Sequence, residues 1–306
     1  MIKNFYDSRY ILRSLRPRHW TKNIIVFAAP LFSFHFYKLE DLLTTFFVFI
    51  LFSLSSSSIY LLNDCLDIEA DRSHPIKKLR PIPSGLVSVK KAISISIFLS
   101  LFCIISSFLL NKFLGIFIIS YLIIQTLYCI RLKKEPLLDL FCLSSGFLLR
   151  ATAGGIASNL YISPWFLLTT GLLSLFLAVE KRKAELKNSI AIGEIKREVL
   201  KRYSFPLLLR IESIVSTGAF ISYMLWASGP NLNGSSSSLM LLTVPLVLLG
   251  IFRYQLLSDP EELIRRKNIN PNCTTENPEE ILLRDKGIKL IVICWLIFTI
   301  AIGIIT

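Results

Sequence analysis

The segment Asn63-Asp64-Cys65-Leu66-Asp67-Ile68-Glu69-Ala70-Asp71-Arg72 follows directly on a long apolar stretch. If the helix of that stretch continues, Asn63, Asp67 and Asp71 fall at i, i+4 and i+8 on one face. Such neighbours stand about 6 Å apart, and a row of oxygen-bearing side chains suits a hard divalent cation. Mg²⁺ takes one or two carboxylates and completes its shell with water and substrate phosphates. Asp64 lies about 100° round the helix and ranks behind the other three as a metal ligand. Read as an ordinary helix end, the acids are misplaced, because a C-terminus favours cations. A bound Mg²⁺ supplies the missing stabilisation, so Asn63, Asp67 and Asp71 are the candidate catalytic residues.

The loop that follows, Arg72-Ser73-His74-Pro75-Ile76-Lys77-Lys78-Leu79-Arg80-Pro81-Ile82-Pro83-Ser84-Gly85, holds three prolines and a glycine and cannot continue the helix. Acids that hold a metal beside cations that hold phosphate oxygens make a diphosphate site. Arg72, Lys77 and Arg80 are the candidate phosphate contacts there. Lys78 is accounted for by the general basicity of such loops, and His74 reads as a turn or phosphate contact, not a base.

These residues must be positioned by helices that cross a membrane. The chain of 306 residues is 53% hydrophobic, and the apolar residues come as unbroken blocks such as 42–62 and 90–110. Blocks of this length match the hydrocarbon layer, which about 20 helical residues cross. Spans are expected near 24–36, 42–62, 92–110, 113–130, 137–157, 163–180, 206–228, 239–257 and 288–305. The fold class is therefore all-α, a polytopic membrane bundle of about nine helices forming a single integral membrane domain over 1–306.

A net charge of +13 would suggest nucleic acid in a soluble protein, but its distribution rejects that partner. Alternate loops carry 30 of the 34 Lys and Arg residues, and the intervening loops near 37–41, 111–112, 158–162 and 229–238 carry two. The positive-inside rule then places the N-terminus and the acidic segment in the cytoplasm, with Thr306 outside. The N-terminal segment lacks the compact apolar core of a signal peptide. The six cysteines show no CxxC or Cys/His spacing, which argues against zinc and disulfides.

Arg150 sits about 11 residues past Asp139, roughly 16 Å deeper in the fifth expected span. A charge there needs a partner or a wet cavity. It either faces substrate or forms a structural pair, with Glu212 the obvious acid. Asp139 either joins the site or pairs with Lys133 or Lys134. Lys22, Lys181 and Arg182 flank spans on the basic side and complete the candidate phosphate contacts. Arg210 snorkels to an interface, and Tyr128 reads equally as a belt aromatic or a substrate contact.

With these residues in view the chain resembles the UbiA-type membrane prenyltransferases, whose mark Asn-Asp-x-x-Asp-x-x-x-Asp is matched by Asn63, Asp64, Asp67 and Asp71. Within that superfamily it is most similar to decaprenyl-phosphate phosphoribosyltransferases. That likeness rests on Arg16-Pro17-Arg18-His19-Trp20-Thr21-Lys22-Asn23, the 26–32 segment, Asp71-Arg72-Ser73-His74-Pro75 with Arg80-Pro81, and Leu149-Arg150-Ala151-Thr152-Ala153-Gly154-Gly155. It continues through Lys181-Arg182-Lys183-Ala184-Glu185-Leu186, and through Pro278-Glu279-Glu280 with Leu283-Arg284-Asp285. The resemblance implies a nine-helix bundle with a cytoplasm-facing cavity in a bacterial inner membrane. It also implies Mg²⁺-dependent transfer of a 5-phosphoribosyl group from phosphoribosyl diphosphate to a polyprenyl phosphate. Aromatic prenyltransferases carry a second aspartate-rich motif after the sixth span. Here Glu180-Lys181-Arg182-Lys183-Ala184-Glu185 stands in its place, which favours a donor with an additional phosphate. The last basic loop, about 258–287, is longer than the family pattern leads one to expect.

Two other functions remain comparisons. An aromatic prenyltransferase would share fold and metal but use an isoprenyl diphosphate, and a transporter would show repeated halves and midplane acids, which this sequence does not. The charge alternation makes a direct prediction. A membrane-impermeant maleimide should label cysteines introduced at Asn159 or Asn233 from outside but not one at Ser73; external labelling of Ser73 would invert the topology.

Overall fold

The computed structural model describes residues 2–33, 38–192, 197–259 and 285–305, with side chains from Ser8 onward apart from those of Asn188, Ala191 and Ile192. Its regular elements are helices, and no strand occurs among the described residues. In order they are α1 (Ile2–Ser14), a 3₁₀ helix (Pro17–Phe27), α2 (Ala28–Phe32), α3 (Leu39–Leu66) and α4 (Ile68–Ser73). There follow α5 (Val89–Leu110), α6 (Lys112–Ile130), α7 (Leu138–Ala157), α8 (Pro164–Ile192), α9 (Phe205–Ala227), α10 (Val244–Ser258) and α11 (Lys286–Ile305).

Eight segments among the described residues are long and apolar enough to cross a membrane, one fewer than expected. The difference lies at 24–36. That stretch begins inside the 3₁₀ helix and continues into the five-residue α2, with 34–37 outside the described residues. The 3₁₀ segment opens on Arg16 in the left-handed region with Pro17 at its first position. Its polar side chains explain why it does not run on as an apolar span. Trp20 Nε1 donates to Ser57 Oγ (3.0 Å) and Asn23 Nδ2 to Ser53 Oγ (3.0 Å), while Ser57 Oγ donates to the Leu15 carbonyl (2.8 Å). The serine run of α3 thus docks this segment, as small hydroxyl residues do where helices approach closely.

The chain divides into two compact units. The first comprises Met1–Pro30, Phe36–Lys133 and Leu149–Leu160; the second comprises Leu31–His35, Lys134–Leu148 and Tyr161–Thr306. In the first unit α3 packs along α5 and α6. Val48, Leu51 and Phe52 of α3 are buried with Cys103, Leu114, Ile118, Tyr121 and Ala153. Ser96 Oγ donates to the Ser58 carbonyl (2.8 Å), tying α5 to α3. Asn111 caps α6, its side chain accepting from the Phe113 and Leu114 amides.

In the second unit α8 lies along α9, and α10 along α11. Phe176, Val215, Tyr254, Leu257 and Ile288 form one buried cluster there, and Leu140, Val179, Leu186, Leu200 and Leu208 another. Much of the outward surface is apolar, including Phe98, Leu109, Ile214, Phe252 and Ile297, as lipid-facing helices require. The chain is an integral membrane protein.

Gly154 marks a close backbone approach within the first unit. A Cβ added there would stand 2.0 Å from the Val26 carbonyl oxygen, whereas one at Gly171 would meet nothing nearer than a leucine methyl at 4.0 Å. Gly154→Ala should therefore push α7 from the 3₁₀ segment and cost about 1–3 kcal/mol, the scale of overpacking. Gly171→Ala should leave thermal unfolding in detergent unchanged. Equal melting of the two variants would refute this contact.

Candidate active site

The acidic segment lies where α3 ends and α4 begins. Asp67 interrupts the helix (φ −96°, ψ 15°), yet its amide bonds to the Asn63 carbonyl (2.9 Å) and the Asp71 amide to its own carbonyl (2.8 Å). The four-residue spacing survives the break, and the acids differ in exposure. Asp64 and Asp71 are buried, while about a third of the Asp67 side chain is exposed.

The basic loop is folded onto this junction. Ile82 and Val87 are buried with Leu61 and Ala92, and the Val87 amide donates to the Pro81 carbonyl (3.0 Å). Arg72 Nε donates to the Pro83 carbonyl (3.0 Å), so this residue braces the loop. Gly85, at φ 80°, closes the turn in a conformation that L side chains rarely adopt. His74 Nδ1 accepts from the Ile76 and Lys77 amides, which makes it a turn residue. Arg80, extended ahead of Pro81, is aimed at the acids.

One Arg80 nitrogen bridges Asp64 Oδ1 (3.1 Å) and Asp71 Oδ2 (2.5 Å). Arg16 donates to the same Asp64 Oδ1 (2.5 Å), and Lys133 Nζ to Asp67 Oδ1 (2.5 Å). Lys77 stands 4.0 Å from Asp71 Oδ1 and is exposed. Asp64, placed second by its helical angle, is thus joined to Asp71 through Arg80. Arg16 and Lys133 are further cations on these acids that the motif alone does not point to. Arg16 lay within the quoted Arg16–Asn23 segment, but nothing in the sequence pairs Lys133 with Asp67.

The donor set suits Mg²⁺: three carboxylates and the Asn63 amide, all hard oxygen ligands. Asp64 Oδ2 and Asp67 Oδ2 form no hydrogen bond among the described residues, so each acid retains an oxygen to offer. As they stand, however, no three acid, His or Cys groups among the described residues converge on a metal position. Arg80 lies between Asp64 and Asp71, and Lys133 is on Asp67.

Deeper in the same unit the Arg150 guanidinium donates to Asn23 Oδ1 (2.6 Å), Tyr121 OH (2.7 Å) and Ser56 Oγ (3.2 Å). Its carbon lies 4.7 Å from the Tyr121 ring centroid. Such packing stabilises a guanidinium in apolar surroundings. Lys22, on the 3₁₀ segment, is half-buried.

Residues 24–270 match the model of the UbiA prenyltransferase family. The chain belongs to that family. A decaprenyl-phosphate phosphoribosyltransferase of Mycolicibacterium smegmatis is 34% identical over 297 residues, covering 94% of this chain and 90% of that protein. One from Mycobacterium tuberculosis is 32% identical over 290 residues, covering 94% and 91%. Among solved structures, a UbiA homolog from Archaeoglobus fulgidus bound to DMAPP and Mg²⁺ superposes with a TM-score of 0.65 at 17% identity. It covers 97% of this chain and 99% of its own. A digeranylgeranylglyceryl phosphate synthase structure gives 0.64 at 20% identity, covering 98% and 99%. These structural likenesses speak for the fold.

The second unit of this UbiA-family transferase holds the remaining candidates. Arg182 is fully buried; its Nε meets Asp139 Oδ2 (2.6 Å) and its NH1 donates to Glu185. Tyr203 OH donates to Asp139 Oδ1 (2.6 Å) and accepts from the Leu137 amide (2.7 Å), holding Leu137 at φ 67°. Burial and then the Asp139 carboxylate push the Tyr203 phenol well above its ordinary pKa. Asp139 therefore pairs with neither lysine expected for it: Lys133 takes Asp67, and Lys134 lies 3.3 Å from Glu198. Glu212, the acid considered for Arg150, is engaged by Lys183 and by Gln255 Nε2 (3.0 Å). Lys181 is half-buried on α8. Most of the long 258–287 loop, with Pro278–Glu280, Leu283 and Arg284, lies outside the described residues.

Arg182 was expected among the phosphate contacts, yet its guanidinium is enclosed by acids of its own unit. Removing it would strand the fully buried Asp139 carboxylate, which costs about 3–5 kcal/mol. Arg182→Met should lower the melting temperature sharply in detergent, with or without substrate. A variant that melts like the parent while losing donor affinity would restore the phosphate role.

Proposed function

We propose that this chain transfers a 5-phosphoribosyl group from phosphoribosyl diphosphate to a polyprenyl phosphate, with Mg²⁺, releasing diphosphate. What carries this reading is the identity to decaprenyl-phosphate phosphoribosyltransferases across nearly the full length of both chains. The site chemistry supports it. Asp64, Asp67, Asp71 and Asn63 would hold the metal, which supplies neutralisation of the leaving diphosphate. Arg16, Arg80, Lys77 and Lys133 stand within reach of the same acids, where phosphate oxygens would accept from them.

Transfer at a ribosyl carbon develops oxocarbenium character, as glycoside cleavage does. The acceptor is a phosphate monoester, already anionic near neutral pH, so it needs orientation and no general base. His74 fits that requirement, since its ring nitrogen is committed to a turn. Lys22, Arg150 and Lys181 are the further cations assigned to the phosphorylated substrates, and Arg72 acts by bracing the loop. The concentration of Lys and Arg in alternate loops supports a site facing the cytoplasm.

Asp67→Asn and Asp71→Asn preserve shape and remove metal-binding charge. Each should slow diphosphate release by about a hundredfold or more, the scale of lost charge stabilisation in a transition state. The assay pairs phosphoribosyl diphosphate with polyprenyl phosphates, and in parallel an isoprenyl diphosphate with an aromatic acceptor. Turnover of the second pair alone would overturn the donor assignment and leave the fold untouched.

A further inference from the structure

We infer that the acidic site takes up its divalent metal and a diphosphate as one unit, and that the metal alone binds poorly. The inference rests on the reading above that a diphosphate enters this site. Its ground is the charge balance. Asp64, Asp67 and Asp71 carry three negative charges, and Arg16, Arg80 and Lys133 carry three positive ones, each within 3.1 Å of a carboxylate oxygen. Lys77 adds a fourth cation at a looser 4.0 Å. The cluster is neutral or slightly positive before any ligand arrives.

A lone divalent cation would have to displace these partners and leave their charge beside its own. In surroundings of reduced dielectric that repulsion is strong, the more so because Asp64 and Asp71 are buried. A diphosphate changes the balance. Its several negative charges give Arg16, Arg80 and Lys133 new partners as the carboxylates turn to the metal, so every ion remains paired. The lack of any three converging ligands agrees with this order, since Arg80 spans Asp64 and Asp71 while Lys133 draws Asp67 away. The cations also have room to exchange partners. The side chains of Arg16, Arg80 and Lys133 are 21%, 29% and 18% exposed.

Dual-label equilibrium dialysis of the full chain in detergent tests this, with Mn²⁺ standing in for Mg²⁺ and radiolabelled inorganic diphosphate as the anion. Protein-retained label is counted against the protein-free compartment, which removes the metal–diphosphate complex of free solution. Each ligand should tighten the other at least about tenfold, and by the same factor, as linkage requires. Arg80→Gln removes the cation that spans Asp64 and Asp71 and leaves only the looser Lys77 beside Asp71. It should bind Mn²⁺ alone several-fold more tightly and diphosphate more weakly, so the coupling shrinks. Arg80→Lys should retain the coupling, and Lys133→Gln, at the more exposed pair, gives a second reading if Arg80→Gln does not fold.

Equal Mn²⁺ affinity with and without diphosphate would overturn the inference. So would unchanged binding of Mn²⁺ alone in folded Arg80→Gln. Retention of neither label would remove the metal site altogether. An error in the donor assignment alone would not disturb the result, because both candidate donors leave inorganic diphosphate.

Discussion

Asp64 is a buried carboxylate in the last turn of a long apolar helix, where the helix dipole already disfavours negative charge, and Asp71 is buried in the short α4 that follows. Two such charges are stable only if cations reach them, and the single Arg80 nitrogen that bridges them is the contact on which the local fold turns. To deliver it, the 74–87 loop must be rigid. Its prolines, the buried Ile82 and the Arg72 brace to the Pro83 carbonyl make it so. Arg16 must come from the other side, and it does so because the serine face of α3 anchors the 3₁₀ segment through Trp20 and Asn23. The serines are therefore part of the site, although they touch none of its acids.

Much of this was legible in the residues. Eight of the nine expected spans correspond to helices of the structure, because unbroken apolar blocks have few other folds in lipid. The acidic segment and the Arg80 loop stood out by residue type and spacing. What was not legible depends on rotation and packing between distant segments. The 24–36 stretch is apolar enough in part, but the Arg18-His19-Trp20-Thr21-Lys22-Asn23 run just ahead of it, in the same 3₁₀ helix, forms side-chain bonds that favour a tight path. The one-residue break at Asp67 swings its carboxylate to Lys133, and no helical wheel contains that turn. Asp139 was matched to lysines near it in sequence, whereas its partners Arg182 and Tyr203 come from segments more than 40 residues away.

Arg150 shows a different way of keeping a charge inside a membrane protein. Asn23, Ser56 and Tyr121 offer it oxygens, and the Tyr121 ring covers its face. These neutral oxygens orient the guanidinium. Asn23 serves two ends here, donating to Ser53 of the α3 serine run and accepting from Arg150. The docking of the 3₁₀ segment and the placement of the deep arginine are thus one hydrogen-bonded arrangement.

Burial separates the cations that can serve a ligand from those that cannot. Arg182 is wholly enclosed, and turning it away would strand the fully buried Asp139 carboxylate. A pair of that kind is costly to break and contributes little that well-packed apolar residues would not. Arg16, Arg80 and Lys133 are each partly exposed, so the same strong contacts can be traded for others without moving charge into hydrocarbon. Residue type and loop position put Arg182 and Arg80 in one class. Access to water, which only the packed structure decides, divides them: Arg182 is fully buried against Asp139, whereas Arg80 meets Asp64 and Asp71 with 29% of its side chain exposed.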